Sequence, residues 1–293
     1  MWRTAYEMRC KARCWPAGRV LLALALLAGT AASAEPLPIF DTHIHYSSPA
    51  WPEYDPPAIG AKLDAAHVLR ALVSSTPDDG TLRLHGLHPH RFVPVLRPYR
   101  AGVHSGNWFH DAPTADYVAA RLRQGSYQGI GEFHLHSPEQ ARTDVVRKVA
   151  RMAVERGIVL HVHADAAPVA ALFALEPELK ILWGHAGMVT PPEDIRRMMD
   201  RFANLWAELS FREGEILGSG DLHGAWRPLL IAHSGRFMIG SDTYTNSRWE
   251  AYEAIIADHR RWLARLPAEV ARAIAYRNAV RLFGAGGIER LRD

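Results

Sequence analysis

The sequence predicts an α/β fold, a (β/α)8 TIM-type barrel with extra C-terminal helices, because eight short apolar runs alternate with helical patterns. The runs recur at intervals of about 22 to 40 residues, which is typical of parallel strands joined by helices. The 259 residues that follow a predicted 34-residue leader match the usual size of such a barrel. A doubly wound sheet is the alternative, but no Gly-x-Gly-x-x-Gly motif follows the first run to support it.

The strand-like and helical runs define the order of the elements. The predicted strands are Pro38–His45, Arg70–Ser75, Arg91–Arg97, Gln128–Leu135, Gly157–His163, Lys180–Ala186, Leu205–Phe211 and Arg236–Asp242. Helical patterns cover Thr114–Gln124, Thr143–Arg156, Ala166–Leu175, a helix opened by Pro191-Pro192-Glu193-Asp194, Trp249–Leu266 and Pro267–Phe283. The segment Ala101–Pro113 lacks periodicity and is rich in Gly, His and aromatic residues, so we expect a loop at the barrel mouth.

The N-terminus has the features of a cleavable secretory signal. Five basic side chains accompany an apolar stretch from Val20 to Ala28, and Ala32-Ser33-Ala34 provides a small-x-small cleavage site. The apolar stretch is shorter than the roughly 20 residues of a membrane-spanning helix, although an uncleaved anchor is the alternative. We therefore expect residues 1–34 to be a signal peptide cleaved near Ala34. Residues 35–293 would form one barrel domain, periplasmic or secreted and not stably inserted in the membrane.

Removal of the leader changes the composition of the chain. Both cysteines, Cys10 and Cys14, lie in the leader, which excludes a disulfide and a cysteine nucleophile from the remainder. The remainder has 29 basic and 30 acidic residues, so it lacks the basic excess typical of nucleic-acid binders. We expect a small-molecule substrate and no nucleic acid; nothing in the sequence predicts an oligomeric state.

The first strand carries the strongest chemical signal. In Asp41-Thr42-His43-Ile44-His45 the two histidines are two residues apart, so their side chains share one face of the strand. Paired neutral imidazoles suit a divalent transition metal such as zinc. Because side chains at the carboxyl ends of barrel strands converge, further ligand types at later strand ends belong to the same predicted site: Glu132, His163, His185 and Asp242. His161 is interpreted as a residue of the barrel interior, with a ligand role as the alternative.

Four stretches resemble the amidohydrolase superfamily, and more closely its amidohydrolase-related branch of metal-dependent hydrolases and decarboxylases. They are Asp41–His45, His163-Ala164-Asp165, Gly184-His185-Ala186-Gly187 and Gly240-Ser241-Asp242, and Asn278–Gly284 is similar to the closing helix of that branch. The resemblance implies that the metal ligands are His43, His45, His163, His185 and Asp242. Glu132 occupies the place of a bridging carboxylated lysine and is similar to the glutamate of TatD-type nucleases, so one or two metal ions are expected.

The resemblance also implies a mechanism. A bound cation lowers the pKa of its water towards ~7, Asp242 takes the proton during attack, and the cation or His185 polarises the electrophile. Zinc is the favoured metal, and manganese, iron and cobalt remain alternatives.

Arginines at strand ends give the best indication of the substrate. Arg97 and Arg212 predict a small anionic substrate, because a guanidinium binds a carboxylate or phosphate through two hydrogen bonds; structural ion pairs are the alternative. His134 and Tyr244 are predicted to border the pocket; the alternatives are a solvated or structural histidine for His134 and ordinary packing for Tyr244. The leading hypothesis is an exported metal-dependent hydrolase of an amide, ester or lactone. The alternatives are a non-oxidative decarboxylase, a phosphoesterase or TatD-like nuclease, and a non-catalytic periplasmic metal- or ligand-binding protein.

Overall fold

Eight parallel strands form the centre of the molecule in the computed structural model, which describes residues 35–218, 222 and 224–286. The strands are β1 (Ile39–Ile44), β2 (Val68–Val73), β3 (Phe92–Leu96), β4 (Gly129–Leu135), β5 (Val159–Ala164), β6 (Lys180–Trp183), β7 (Leu205–Glu208) and β8 (Phe237–Met238). They are hydrogen-bonded in sequence order, and the amide of Thr42 donates to the carbonyl of Ile239 at 2.7 Å to join the first and last strands. This closure confirms the predicted (β/α)8 barrel. The predicted signal peptide lies outside the described residues.

Helices connect the strands and continue beyond the last of them. They are α1 (Pro56–Ala65), α2 (Asp79–Leu87), α3 (Pro113–Gln124), α4 (Pro138–Ala141), α5 (Asp144–Arg156), α6 (Ala166–Leu175), α7 (Pro192–Arg201), α8 (Glu213–Leu217), α9 (Trp226–Ala232), α10 (Asn246–Glu250), α11 (Tyr252–Leu263), α12 (Ala268–Arg272) and α13 (Asn278–Phe283). Short 3-10 turns cover Ser48–Ala50 and Gly184–Ala186, and a π-helical turn covers Ala273–Arg277. In the part of the chain that the structure describes, every helix is too short or too polar to span a bilayer.

The helices cover the outer face of the barrel with their apolar sides. In α5 the buried residues recur at helical spacing, for example Val145, Val149 and Ala153, whereas Arg147 and Arg151 face solvent. The helix ends at Gly157, whose φ of 64° is the left-handed conformation that glycine adopts without a steric penalty. Strand residues are therefore buried on both faces, as expected for a parallel barrel.

The structure differs most from the predicted boundaries at the ends of the last three strands and in the C-terminal helices. Strands β6, β7 and β8 end at Trp183, Glu208 and Met238, before the predicted Ala186, Phe211 and Asp242. His185 and Asp242 instead have left-handed backbones, with φ of 55° and 48°. Such conformations cost non-glycine residues of order 1–3 kcal/mol and concentrate at functional sites. The two predicted C-terminal helices are each divided, the first between α10 and α11 and the second by the π-helical turn.

The predicted mouth loop is anchored rather than loose. Trp108 in its centre is completely buried, packs on Phe133 of β4 at a centroid distance of 4.6 Å, and donates its indole N–H to the carbonyl of His134 at 2.8 Å. The loop therefore supports the end of β4, where the predicted site begins.

Candidate metal centre

A cavity of about 290 Å³ opens at the carboxyl ends of the strands. It is lined by Arg97, Glu132, His134, His163, Met188, Phe211, Asp242 and Tyr244. The residues come from strand ends or from the loops that follow them, which is the position of active sites in (β/α)8 barrels. His43, His45 and His185 lie just beneath this surface and are almost completely buried.

One cluster is built from the two histidines of β1. Their side chains leave the strand on the same face, and the Nε2 atoms of His43 and His45 are 3.0 Å apart. Asp242 Oδ1 lies 3.1 Å from His45 Nε2 and 3.5 Å from His43 Nε2. Glu132 Oε2 lies 3.3 Å and 3.6 Å from the same two nitrogens. Four potential ligand atoms therefore surround one point.

The opposite ring nitrogens show which atoms carry hydrogen. His43 Nδ1 lies 3.0 Å from Glu208 Oε1, and His45 Nδ1 contacts the carbonyl oxygen of Ser74. Because carboxylate and carbonyl oxygens only accept hydrogen bonds, both Nδ1 atoms are donors, and each ring in its neutral form presents an Nε2 lone pair to the shared point. Asp242 Oδ1 is also buried and has no hydrogen-bond donor among the described residues. Converging lone pairs of this kind fit a cation at the point they share.

A second cluster faces the first across Glu132. His163 Nδ1 and His185 Nε2 are 3.0 Å apart, and Glu132 Oε1 lies 3.0 Å and 3.4 Å from them. The two oxygens of one carboxylate thus face two separate histidine pairs. This arrangement offers ligand atoms for one or two ions, the two counts that the sequence left open. The likeness of Glu132 to the TatD-type glutamate stays a prediction.

The charges of the site favour ionised carboxylates. Burial raises the pKa of Glu132, but the charge of His43 and the hydrogen bond from His163 outweigh it, so the pKa is held well below its ordinary value. Burial also opposes ionisation of Asp242, yet His43 and His45 lower its pKa to about 2. For His43, burial lowers the pKa, while Asp242, Glu132 and Glu208 together raise it well above the ordinary value. The carboxylates are therefore ionised and balanced by the proton on His43, whose place a cation at the shared point would take.

The two arginines predicted to bind substrate lie in different environments. Arg97 lines the cavity; its Nη2 contacts Glu132 Oε2 at 2.9 Å and its Nε donates to the Glu132 carbonyl at 3.0 Å. Arg212 is buried, donates to the carbonyls of Met188 and Thr190 at 2.7 and 2.8 Å, and pairs with Glu215 at 2.8 Å. The donors of Arg212 are thus directed at the loop after β6, which favours the structural role that the sequence left as the alternative; its substrate-binding role stays a prediction.

The remaining predicted residues form the walls of the cavity. His134 stacks on His163 with a centroid distance of 4.2 Å and an interplanar angle of 19°. The hydroxyl of Tyr99 accepts from the His134 amide at 2.8 Å and lies 2.9 Å from its Nδ1, while burial lowers the pKa of His134 to about 3, so the ring is neutral. Tyr244 is 57% exposed and lies at the rim, 6.3 Å from the ring of Phe211.

His161 lies in the barrel interior, the position favoured from the sequence. Its ring is completely buried, 4.4 Å from that of His43 in an edge-to-face arrangement, and outside the cavity lining. Burial holds its pKa well below the ordinary value, so the ring is neutral. Its Nε2 has no hydrogen-bond partner within the described ranges.

Sequence reasoning missed Glu208 at the end of β7. This side chain is completely buried and accepts hydrogen bonds from His43 Nδ1 and from the amides of His185 and Ser210. An available signal was the acidic residue inside the apolar run Leu205–Leu209, since a buried charge needs partners to offset its desolvation. Ser74 was also missed; its carbonyl orients His45 and its hydroxyl accepts from the Glu132 amide at 3.1 Å.

Comparison with known families agrees with the resemblance noted in the sequence. The family profile described as "Amidohydrolase" matches residues 97–285, more than half of the chain. The chain belongs to the amidohydrolase family. No curated relative matches the sequence.

Solved structures with the same fold include hydrolases and decarboxylases. One is a probable 2-pyrone-4,6-dicarboxylic acid hydrolase from Acinetobacter baumannii with citric acid bound, at 15% identity and a TM-score of 0.56, covering 84% of this chain and 99% of that one. A second is an amidohydrolase from Burkholderia multivorans with bound zinc. Its sequence identity is 15% and its TM-score is 0.56, and the match covers 84% of this chain and 98% of that one. A third is the 5-carboxyvanillate decarboxylase from Novosphingobium aromaticivorans, complexed with manganese. Its sequence identity is 13% and its TM-score is 0.53, and the match covers 84% of this chain and 95% of that one. At these identities the likeness is one of fold.

Proposed function

We propose that this member of the amidohydrolase family is a metal-dependent hydrolase acting on an amide, ester or lactone bond of a small anionic substrate. The observation that carries the proposal is the 3.0 Å separation of His43 Nε2 and His45 Nε2, with both opposite nitrogens held by acceptors. A divalent cation satisfies these converging lone pairs together with the buried Asp242 oxygen.

The residues that would hold metal fall into two sets that share Glu132. The first set comprises His43, His45, Asp242 and Oε2 of Glu132; the second comprises His163, His185 and Oε1 of Glu132. Nitrogen and oxygen donors without sulfur suit zinc, and also manganese, iron or cobalt. When bound, such a cation supplies Lewis acidity, which acidifies water and withdraws electrons from a carbonyl group.

Asp242 is the side chain assigned to proton transfer. It lines the cavity, and its pKa of about 2 keeps it ionised at neutral pH. It is therefore able to accept a proton from water during attack and to return it to the leaving group. Its backbone is left-handed, with φ of 48°, and its Oδ1 lies 3.1 Å from His45 Nε2.

Arg97 and the shape of the cavity support a small anionic substrate. The guanidinium lies at the cavity wall, and a volume of about 290 Å³ is near the lower end for ligand pockets. A carboxylate beside Arg97 would form a charge-assisted hydrogen bond. Met188, Phe211 and Tyr244 provide the apolar part of the cavity lining. The predicted leader would place the activity outside the cytoplasm, a part of the proposal that depends on the sequence alone.

The two reaction types found among the structural neighbours define the experiment. Purified protein would be stripped of metal, reconstituted with zinc or manganese, and assayed on lactones, esters and amides with and without a carboxylate. Aromatic carboxylic acids would be assayed in parallel for release of carbon dioxide. We expect metal-dependent hydrolysis that favours the carboxylated substrates. Carbon dioxide release without hydrolysis would contradict the proposal and identify a decarboxylase instead.

A further inference from the structure

Glu208 contacts both histidine clusters without reaching the cavity. Its Oε1 lies 3.0 Å from His43 Nδ1 and 3.5 Å from His185 Nδ1, so one oxygen reaches a residue of each proposed ligand set. The side chain is completely buried and does not contribute to the cavity lining. It is therefore placed to act on the ligands and not on a substrate.

Backbone hydrogen bonds fix the Glu208 carboxylate in its position. Oε1 accepts from the amide of His185, and Oε2 accepts from the amide of Ser210 at 2.8 Å. Because both oxygens are acceptors, the hydrogen between Glu208 and His43 belongs to Nδ1 of the histidine. The lone pair of His43 Nε2 is thereby directed towards the first cluster. The bond to His185 also holds a residue whose φ is 55°.

We infer that Glu208 is a positioning residue of the metal centre: it fixes the ring orientation and tautomer of His43 and holds the backbone of His185, so it couples the two ligand sets. The inference rests on the proposed metal-dependent function. Partners of this kind behind a ligating histidine raise metal affinity by roughly 10–100-fold.

Gly240, just before the Ser241-Asp242 pair, provides independent support. A Cβ at this position would lie 2.0 Å from Glu208 Oε2 and 3.0 Å from the Cβ of His43. Its φ is outside the left-handed region, so the backbone does not itself require glycine. The space around Gly240 is taken by the Glu208 carboxylate, and Gly240→Ala would displace that carboxylate while leaving its charge in the chain.

A matched control is available five residues along the chain. Glu213 Oε1 lies 3.1 Å from Nε2 of the completely buried His259, which gives a second carboxylate–histidine pair away from the cavity lining. Glu213→Gln therefore removes a similar charge from a similar pair with no proposed ligand in contact.

The experiment measures zinc affinity of the purified proteins by competition with a chromophoric chelator. We expect Glu208→Gln to bind zinc about 10–100-fold more weakly than wild type. Gly240→Ala should also bind zinc more weakly, whereas the zinc affinity of Glu213→Gln should stay within about threefold of the wild-type value. In zinc-loaded wild type with labelled histidine, the Nδ1 proton of His43 should give a slowly exchanging NMR signal, and this signal should be lost in Glu208→Gln.

The outcomes separate the inference from the proposed function. Wild-type affinity in Glu208→Gln, with the wild type binding zinc, would overturn the role of Glu208 and leave the metal-dependent function standing. If Glu208→Gln does not fold, Gly240→Ala decides in the same assay. A wild type that binds no zinc would contradict both proposals.

Discussion

Two buried histidines are each paired with a carboxylate, His43 with Glu208 and His259 with Glu213, and they differ in what faces the other ring nitrogen. His259 Nε2 donates to the carbonyl of Gly240 at 2.9 Å near Glu213, and its Nδ1 accepts from the indole of Trp262 at 3.2 Å. His43 Nδ1 likewise lies 3.0 Å from a carboxylate, that of Glu208, but the other ring nitrogen of His43, Nε2, faces the Nε2 of His45.

The difference separates a structural histidine from a ligand. Both rings are buried, and both are paired with a carboxylate, so burial and charge alone do not distinguish them. Every ring nitrogen of His259 has a partner, as expected for a buried polar group with a structural role. Around His43 the Nε2 atoms of His43 and His45 face each other and Asp242 Oδ1, which has no hydrogen-bond donor among the described residues, and a cation would satisfy all three.

The largest expected effect comes from the carboxylate of the His43 cluster. Asp242→Asn should lower kcat by about 10²–10⁴-fold, because it removes the proton acceptor at the cavity wall. Kinetics on the best ester or lactone and circular dichroism would be measured for this variant and for Glu213→Gln, which alters the other pair. Equal activity of Asp242→Asn and wild type would refute the assignment of Asp242.

Metal removal should affect only one of the two regions. Chelation should abolish activity and lower Tm, since a ligand present at about 100 times its Kd stabilises the folded state by roughly 2.7 kcal/mol. Scanning calorimetry of Glu213→Gln should show the same metal-dependent shift as wild type. A shift that disappears in this variant would mean that the His259 pair takes part in metal binding.

Arg97 and Arg212 extend the comparison to the arginines. Arg97→Ala should raise KM for carboxylated substrates by roughly tenfold or more, through loss of a charge-assisted bond of about 1.5–3 kcal/mol. Arg212→Ala should instead destabilise the fold by about 2–3 kcal/mol, because two carbonyls and Glu215 lose their donor. KM values and denaturant unfolding of both variants would be compared. The reverse pattern would restore Arg212 as the anion-binding residue.

The smallest expected effect is the pH dependence of the structural pair. Burial lowers the pKa of His259, but the charge of Glu213 outweighs it and raises the pKa above 6.5. The contribution of His259 to stability is therefore complete below pH 6.5 and is lost as the pH rises through the raised value. The pKa of Glu213 is lowered below 4.5, because His259 outweighs burial, so its contribution is present above 4.5 and is lost on acidification. The difference in the free energy of unfolding between wild type and Glu213→Gln should be greatest between about pH 4.5 and pH 6.5. A difference that grows towards pH 9 would contradict the pairing.

The sequence predicted the strands better than the ends of the strands. Alternating apolar runs located all eight strands, because burial between barrel interior and helices demands apolar residues on both faces. The turns at His185 and Asp242 were missed, since a left-handed residue other than glycine leaves no hydrophobic pattern. Both residues still lie at the site, because they follow their strands directly.

Single charged residues were harder to predict than paired motifs. Arg97 and Arg212 both follow apolar runs, and only the fold shows that one faces the cavity while the other binds loop carbonyls. Glu208 was overlooked because the strand around it is otherwise apolar, and its partner His43 is 165 residues away. Contacts between distant parts of the chain have no local signature in the sequence.

The most direct test of the account is the metal content of the purified protein, determined by elemental analysis after reconstitution with zinc. Wild type and Glu213→Gln should each bind at least one equivalent of zinc per chain, and two equivalents that fall to about one in Glu132→Gln would identify Glu132 as the shared ligand. A wild-type chain that stays free of metal after reconstitution would contradict the assignment of these histidine clusters as a metal centre.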